Sequence, residues 1–381
     1  MPHNRITRTA HAVTHEKSFK EAINSIHQAV RRALPSKHRY DCVRVLTMRW
    51  DNDDLGLKDI ETELLELFRG RFNYATDSLL IPSTSARDAQ TALRLKMTTL
   101  SKYNSPKTLF IVIYEGHATT LRGPSDSCPL HIFGSRETNI SIPWLFVESE
   151  FLPIADSDIF VMLDTCFATN AVVGSSGARN EYLAAAASES EATDAMETSL
   201  TRRFIDLLRD MEELEITVAQ IHSLLVQRSN RPESRLAFTP VHIAASQKPS
   251  VTLRPLQYIP KEVVSPPKTK ESADGKVLVS VLLEGKTSIP DVEQWTKWLI
   301  TSVPENIADI KIETVFKSNS SLCLMTMPIE VYDMIRGNDA FSFVAFVESN
   351  NILIRQRPAP RDHGILASRA GNVELPHREK E

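Results

Sequence analysis

The stretch "TLFIVIYEGHATT" at residues 108–120 decides how the chain is read. From Leu109 to Tyr114 it is unbroken apolar and β-branched sequence, without the alternation of a strand that has one wet face. A strand of that kind is covered on both sides and belongs to a parallel sheet flanked by helices. Ligands of such sheets sit beyond the carboxyl ends of the strands, which is where His117 falls. A second stretch, "DIFVMLDTCFAT" at 158–169, has the same form, with Ile159 to Leu163 apolar and Asp164-Thr165-Cys166 at its end. If the two strands are neighbours, an imidazole and a thiol converge on one edge of the sheet.

Working outward, Phe19, Ile23, Ile26, Val30 and Leu34 fall at helical spacing, with Pro35 after them. "YDCVRVLTMRW" (40–50) reads as a first strand, followed by the acidic loop "DNDD" and a helix with Leu57, Ile60, Leu64, Leu67 and Phe68 on one face. A second strand lies in "FNYATDSLLIP", and Ser85 and Asp88 stand at capping-box spacing before a helix striped by Ala89, Leu93, Met97 and Leu100. Between the two decisive strands, "CPLHIFGSRETNISI" reads as a small hairpin and "PWLFVESEFL" as a helix. The stretches after residue 180 add a strand in "NEYLAAAAS", helices in "METSLTRRFIDLLRDM" and "ITVAQIHSLLVQ", and a last strand in "FTPVHIA". Alternation of strand and helix predicts an α/β fold with a doubly wound, mostly parallel sheet and helices on both faces.

Residues 258–276, rich in Pro and charge, read as a linker. Beyond them the order strand, helix, strand, strand, helix, strand over 277–354 predicts a small α+β, ferredoxin-like domain, a type that hosts many functions and identifies none. The expected organisation is therefore an N-terminal helix and tail at 1–37, a main domain at 38–257, the linker, the small domain, and a disordered tail at 355–381.

Composition narrows the function. The 381 residues carry a net charge of -4 and no basic stripe, so a nucleic-acid partner is not expected, and the C-terminal strands lack the aromatic and basic pattern of RNA-binding sheets. No apolar run has bilayer length and the N-terminus is polar, which predicts no membrane association and a cytoplasmic location. The four cysteines show no C-x-x-C spacing, so neither a zinc site nor a disulfide framework is expected. Neither G-x-G-x-x-G nor G-x-x-x-x-G-K-[ST] occurs among the 12 glycines, which argues against dinucleotide and P-loop chemistry. His131, His222 and His242 have no partner at a recognisable spacing.

Cys166 follows His117 by 49 positions, close to the interval of about 50 between the histidine and cysteine of caspases. With "FIVIYEGHA" and "FVMLDTCFA", the latter like D-x-C-x-[SA], the chain resembles the caspase-like cysteine peptidases, in particular metacaspases and fungal caspase-domain proteins. The resemblance runs over about residues 38–257, helped by "RWDNDDLG" and "FTPVHIAASQKPSVTLRPL", and does not reach the C-terminal domain. It implies a caspase-like sheet and a cysteine endopeptidase acting on protein or peptide substrates. Calcium enters by family analogy only, since no D-x-[DN]-x-[DN]-G loop is present, and no other cofactor is implied.

The chemistry follows from the residue types. A thiol attacks a carbonyl as thiolate, so Cys166 needs His117 as base, and the imidazolium can then protonate the leaving amine. The backbone N–H groups of Cys166 and Ala118 are placed in sequence to stabilise the oxyanion. Position 118 is alanine where the family usually has glycine. A negative φ would keep the N–H in place, and a positive one would displace it. The resemblance makes Asp164 part of an S1 pocket for arginine or lysine at P1, with Asp51 and Asp53 adding to it from the acidic loop that also holds Asp54, although "DNDD" also reads as a solvated turn and Asp164 as a turn cap. Arg179, in the small-residue stretch "NAVVGSSGARNEY", is a candidate processing site. The competing expectation is a catalytically inactive caspase-fold scaffold whose C-terminal domain binds protein partners.

Overall fold

The computed structural model describes residues 18–121, 129–137, 139–166, 168, 180–185, 199–229, 239–245, 248–256, 275–284, 310–317, 321–349 and 351–352. The apolar runs that open the sequence reading lie side by side. Strand β3 (Thr108–Glu115) pairs in parallel with β7 (Asp158–Asp164) on one edge and with β1 (Cys42–Trp50) on the other. The sheet continues outward to β2 (Ala75–Ile81) on the β1 side, and through β8 (Glu181–Ala184) to β10 (Val241–Ile243) on the other. All its pairings are parallel except the last, β8 with β10.

Alternation of side chains then divides the core in two. Leu109, Ile111, Ile113, Phe160 and Met162 point to one face, where α2 (Lys58–Phe72), α5 (Leu200–Asp210) and α6 (Val218–Ser229) cover them. Phe110, Val112, Tyr114, Ile159, Val161 and Leu163 point to the other, under α3 (Ala86–Leu100) and α4 (Trp144–Ser149). The molecule is mixed α/β with a mostly parallel six-stranded sheet, as the continuous apolar strands required.

Local signals set the helix ends. Ser85 Oγ accepts from Asp88 N–H at 3.1 Å, starting α3, and Asn73 in the left-handed region closes α2. The expected hairpin is present as β5 (Leu130–Phe133) and β6 (Ser141–Pro143), and β4 (His117–Thr120) extends it into a three-stranded antiparallel sheet. His117 thus begins a new strand instead of only ending an old one. A small ladder joins β9 (Ile216–Thr217) to β11 (Thr252–Leu253).

A second, antiparallel sheet has the order β13 (Lys311–Lys317), β14 (Ser321–Pro328), β12 (Lys276–Leu283), β15 (Phe341–Val347), followed in the chain order by α7 (Ile329–Ile335) between β14 and β15. The N-terminal helix α1 (Phe19–Ala33), capped by the Ser18/Glu21 box, belongs to this second core. Ile26, Ala29 and Val30 are buried with Val279, Met325, Met327 and Val331. The sequence placed α1 only as an amphipathic preface; its apolar stripe finds its partner some 300 residues along the chain. The expected helix within 291–303, the linker and the C-terminal tail lie outside the described residues, apart from Gly275 and Lys276, which lead into β12.

Candidate active site

The β3/β7 register pairs Glu115 with Asp164, and Gly116 N–H donates to Asp164 O at 3.3 Å. His117 and Cys166 therefore each lie two residues beyond a matched pair, on neighbouring parallel strands whose axes are about 4.8 Å apart. Both strands end at the carboxyl edge of the sheet, with His117 opening β4 and Cys166 in the turn after β7.

Gly116 makes the exit geometry. Its φ is +143°, and a Cβ there would stand 2.8 Å from the Tyr114 hydroxyl oxygen. That hydroxyl donates to His117 O at 2.8 Å, with Phe133 O at 3.2 Å as a second acceptor, so the turn is tied down from inside the sheet. The His117 ring is 5% exposed and stacks on Phe133 at 5.3 Å between centroids.

The imidazole has a partner that the sequence reading left in a turn. His117 Nε2 is 2.7 Å from Asp54 Oδ1, and Asp54 Oδ2 accepts from Ser135 Oγ at 2.9 Å and Arg136 N–H at 3.2 Å. Burial works against the Asp54 charge, but the hydrogen bonds from Ser135, His117 and Arg136 outweigh it and hold the carboxyl below its usual range. An ionised carboxylate only accepts, so Nε2 carries the proton and Nδ1 of the neutral ring is left with the lone pair. Asp54 thereby selects the tautomer with Nδ1 as the basic nitrogen. The close approach of 134–136 to the loop after β1 depends on Gly134, where a Cβ would meet Trp50 Cβ at 2.5 Å.

Cys166 is half-buried and in no disulfide. Among the described residues the only non-glycine with positive φ is Asn73, so Ala118 keeps a negative φ, the condition under which its N–H stays in place. Its methyl group is buried, packed in the core with Ile132, its register partner in β5.

The carboxylates expected near the substrate make other contacts. Asp53 accepts from Leu55 N–H at 3.0 Å and Leu57 N–H at 2.7 Å and braces its own loop, whereas Asp51 accepts from Ser83 N–H at 2.9 Å and ties that loop to the chain after β2. Asp164 Oδ2 accepts from Thr201 N–H at 2.8 Å, at the start of α5. Burial nevertheless pushes the Asp164 carboxyl up, against the bonds from Thr201, Leu200 and Ser199. Beside it, on the same face of the sheet, burial and the Asp164 charge push Glu115 up to about 8, and Glu115 Oε1 is buried with no hydrogen-bond partner among the described residues. Glu115 was not singled out in the sequence, though a glutamate closing a wholly apolar strand is a legible signal. Arg179 lies outside the described residues.

The carboxylates of the acidic loop do not converge on one point as a calcium site would need. The ion takes six to eight oxygens, whereas Asp51, Asp53 and Asp54 are directed at separate backbone and side-chain donors. Among the described residues, the group of His, Cys, Asp and Glu side chains close enough to share a cation lies elsewhere, at His222, His242 and Asp333.

No family model and no curated protein matches the chain. Among solved structures, the crystal structure of protein GSU0716 from Geobacter sulfurreducens is similar over 57% of this chain and 100% of that one, at 10% identity and a TM-score of 0.41, too slight a likeness to bear on fold or activity. Among the described residues no helix is long and apolar enough to cross a membrane.

Proposed function

We propose that the protein is a caspase-like cysteine endopeptidase in which Cys166 is the nucleophile, His117 the general base and acid, and Asp54 the residue that orients His117. The observation that carries this reading is the Glu115/Asp164 register, which sends His117 and Cys166 out of adjacent parallel strands at matching positions. The doubly wound sheet agrees with the fold that the resemblance implies, and the second sheet, with β14 between β12 and β13, agrees with a ferredoxin-like unit built from split β-α-β segments.

In the proposed reaction His117 Nδ1 takes the thiol proton and the thiolate adds to the scissile carbonyl. The oxyanion is held by backbone N–H groups of Cys166 and Ala118, and the imidazolium protonates the leaving amine. Water, activated by the same imidazole, then hydrolyses the thioester. A basic P1 side chain is supported by the half-buried Asp164 carboxyl at the carboxyl end of β7. Peptide or protein is the substrate class, the cytosol the proposed setting, and a protein partner the proposed ligand of the C-terminal sheet.

One observation favours a second reading, a caspase-fold scaffold without turnover: the His117 ring is 5% exposed and lies against Phe133. Hydrolysis of fluorogenic peptides with Arg, Lys or Asp at P1, by wild type and Cys166→Ala, separates the two. Arg or Lys turnover that vanishes in the variant supports the peptidase with its acidic subsite. Turnover confined to Asp would keep the dyad and remove the basic preference. Folded protein that cleaves none of them would turn the assignment to the scaffold.

A further inference from the structure

Far from the dyad, three elements meet at a buried polar cluster. His222 comes from α6, His242 from β10 and Asp333 from α7, and they are 6%, 0% and 5% exposed. Their donor atoms all lie within 4.8 Å of one another. His222 Nδ1 is 2.6 Å and His242 Nδ1 3.0 Å from the same oxygen, Asp333 Oδ2.

The outer nitrogens are also committed. His222 Nε2 is 3.0 Å from Pro240 O, and His242 Nε2 is 2.7 Å from Glu181 Oε1, whose carboxylate also accepts from Ser250 Oγ at 2.5 Å and Val251 N–H at 2.6 Å. Carbonyl and carboxylate oxygens only accept, so both Nε2 atoms carry protons. A neutral imidazole protonated at Nε2 has its lone pair at Nδ1, and both such lone pairs then point at Asp333. Two lone pairs facing a carboxylate repel unless positive charge stands between them. Two extra protons would supply it, and so would one divalent cation.

We propose that His222 Nδ1, His242 Nδ1 and Asp333 Oδ2 bind a divalent transition metal, with zinc the best match, that fastens α7 of the C-terminal sheet to α6 and β10 of the parallel-sheet core. Two imidazoles and a carboxylate are borderline ligands suited to zinc. Metal-binding histidines characteristically donate the other ring N–H to a carboxylate or a backbone carbonyl, which is the arrangement at Glu181 and Pro240. The charges also balance: a dication with two neutral rings offsets Asp333 and Glu181. Zinc bonds of about 2.0–2.1 Å in tetrahedral geometry put ligands roughly 3.3 Å apart, so the 2.6 and 3.0 Å contacts of the two rings to Asp333 Oδ2 would lengthen by some tenths of an ångström. The remaining coordination position falls to water or the second Asp333 oxygen. Nothing in the cluster relies on the peptidase assignment.

The test uses full-length Cys166→Ala protein, so that the dyad thiol cannot capture the probe, after removal of metals with a chelator. Zinc is titrated in competition with a chromophoric chelator, and thermal unfolding is followed with and without one equivalent. One bound zinc, a rise in Tm on its addition, a fall in affinity of at least tenfold in Asp333→Asn and a fall of 10- to 100-fold in Glu181→Gln are expected. Should a variant fail to fold, cobalt added to the parent protein decides the matter: visible bands of a four-coordinate nitrogen and oxygen site, without the near-ultraviolet band of thiolate ligation, support the proposal. Absence of stoichiometric zinc binding, binding unchanged in both folded variants, or a thiolate cobalt spectrum would overturn it and leave a proton-bridged pair of imidazoliums.

Discussion

Replacing Glu115 by glutamine should raise resistance to urea far more at pH 8 than at pH 5.5. Glu115 closes β3, is 4% exposed, and is driven from the usual 4.5 to about 8 by burial and then by the charge of Asp164 beside it. An acid whose folded value is raised binds its proton in the folded state where the unfolded chain has lost it, so stability falls as pH rises from about 4.5 to about 8 and then levels. Each tenfold change in proton affinity is worth about 1.4 kcal/mol. Between pH 5.5 and pH 8 the wild type should therefore lose about 3 kcal/mol that the always-neutral glutamine does not lose. The assay is urea unfolding followed by the fluorescence of Trp50 and Trp144, both fully buried in the parallel-sheet core. If the difference between variant and wild type is the same at both pH values, Glu115 is not held protonated and the argument for a buried acidic pair fails.

Asp54→Asn should lower kcat/KM for a cleaved peptide by about tenfold, mainly in kcat; the 38% exposure of the Asp54 side chain places its bond to His117 at the low end of charged hydrogen bonds, about 1.5 kcal/mol. An unchanged kcat would deny Asp54 its orienting role. Gly116→Ala should destabilise by about 1–3 kcal/mol, because the φ of +143° is strained for any Cβ and the Tyr114 hydroxyl must give way, a loss visible in thermal unfolding. Tyr114→Phe leaves the His117 and Phe133 carbonyls without their internal donor and should cost about 1–3 kcal/mol in the same assay; a neutral result would mean that another donor replaces the hydroxyl.

Much of the candidate site was legible because it is local. Two apolar strands ending in Gly-His and Asp-Thr-Cys declare burial on both faces, and burial on both faces points to a parallel sheet, the kind whose ligands sit at the carboxyl end. The partner of His117 was not legible: Asp54 stands 63 residues earlier in a loop that reads equally well as a solvated turn, and only the approach of Gly134 to Trp50 brings the β5 end, with Ser135 and Arg136, to its carboxylate. His117 opening β4 was also missed, since its partner Leu130–Phe133 is not contiguous with it and a four-residue strand has no periodicity to read.

By itself, then, the sequence determined most of the elements, the mostly parallel sheet, and that the strands ending before His117 and Cys166 belong to it, because side-chain periodicity and strand burial are written over five to fifteen consecutive residues. Tertiary structure alone decided that α1 closes the C-terminal core, that Asp54 selects the His117 tautomer, that Glu115 and Asp164 press two carboxyls together, and that His222, His242 and Asp333 meet. Each of these joins residues far apart in the chain through burial, and no local pattern records which distant groups burial will force to share charge.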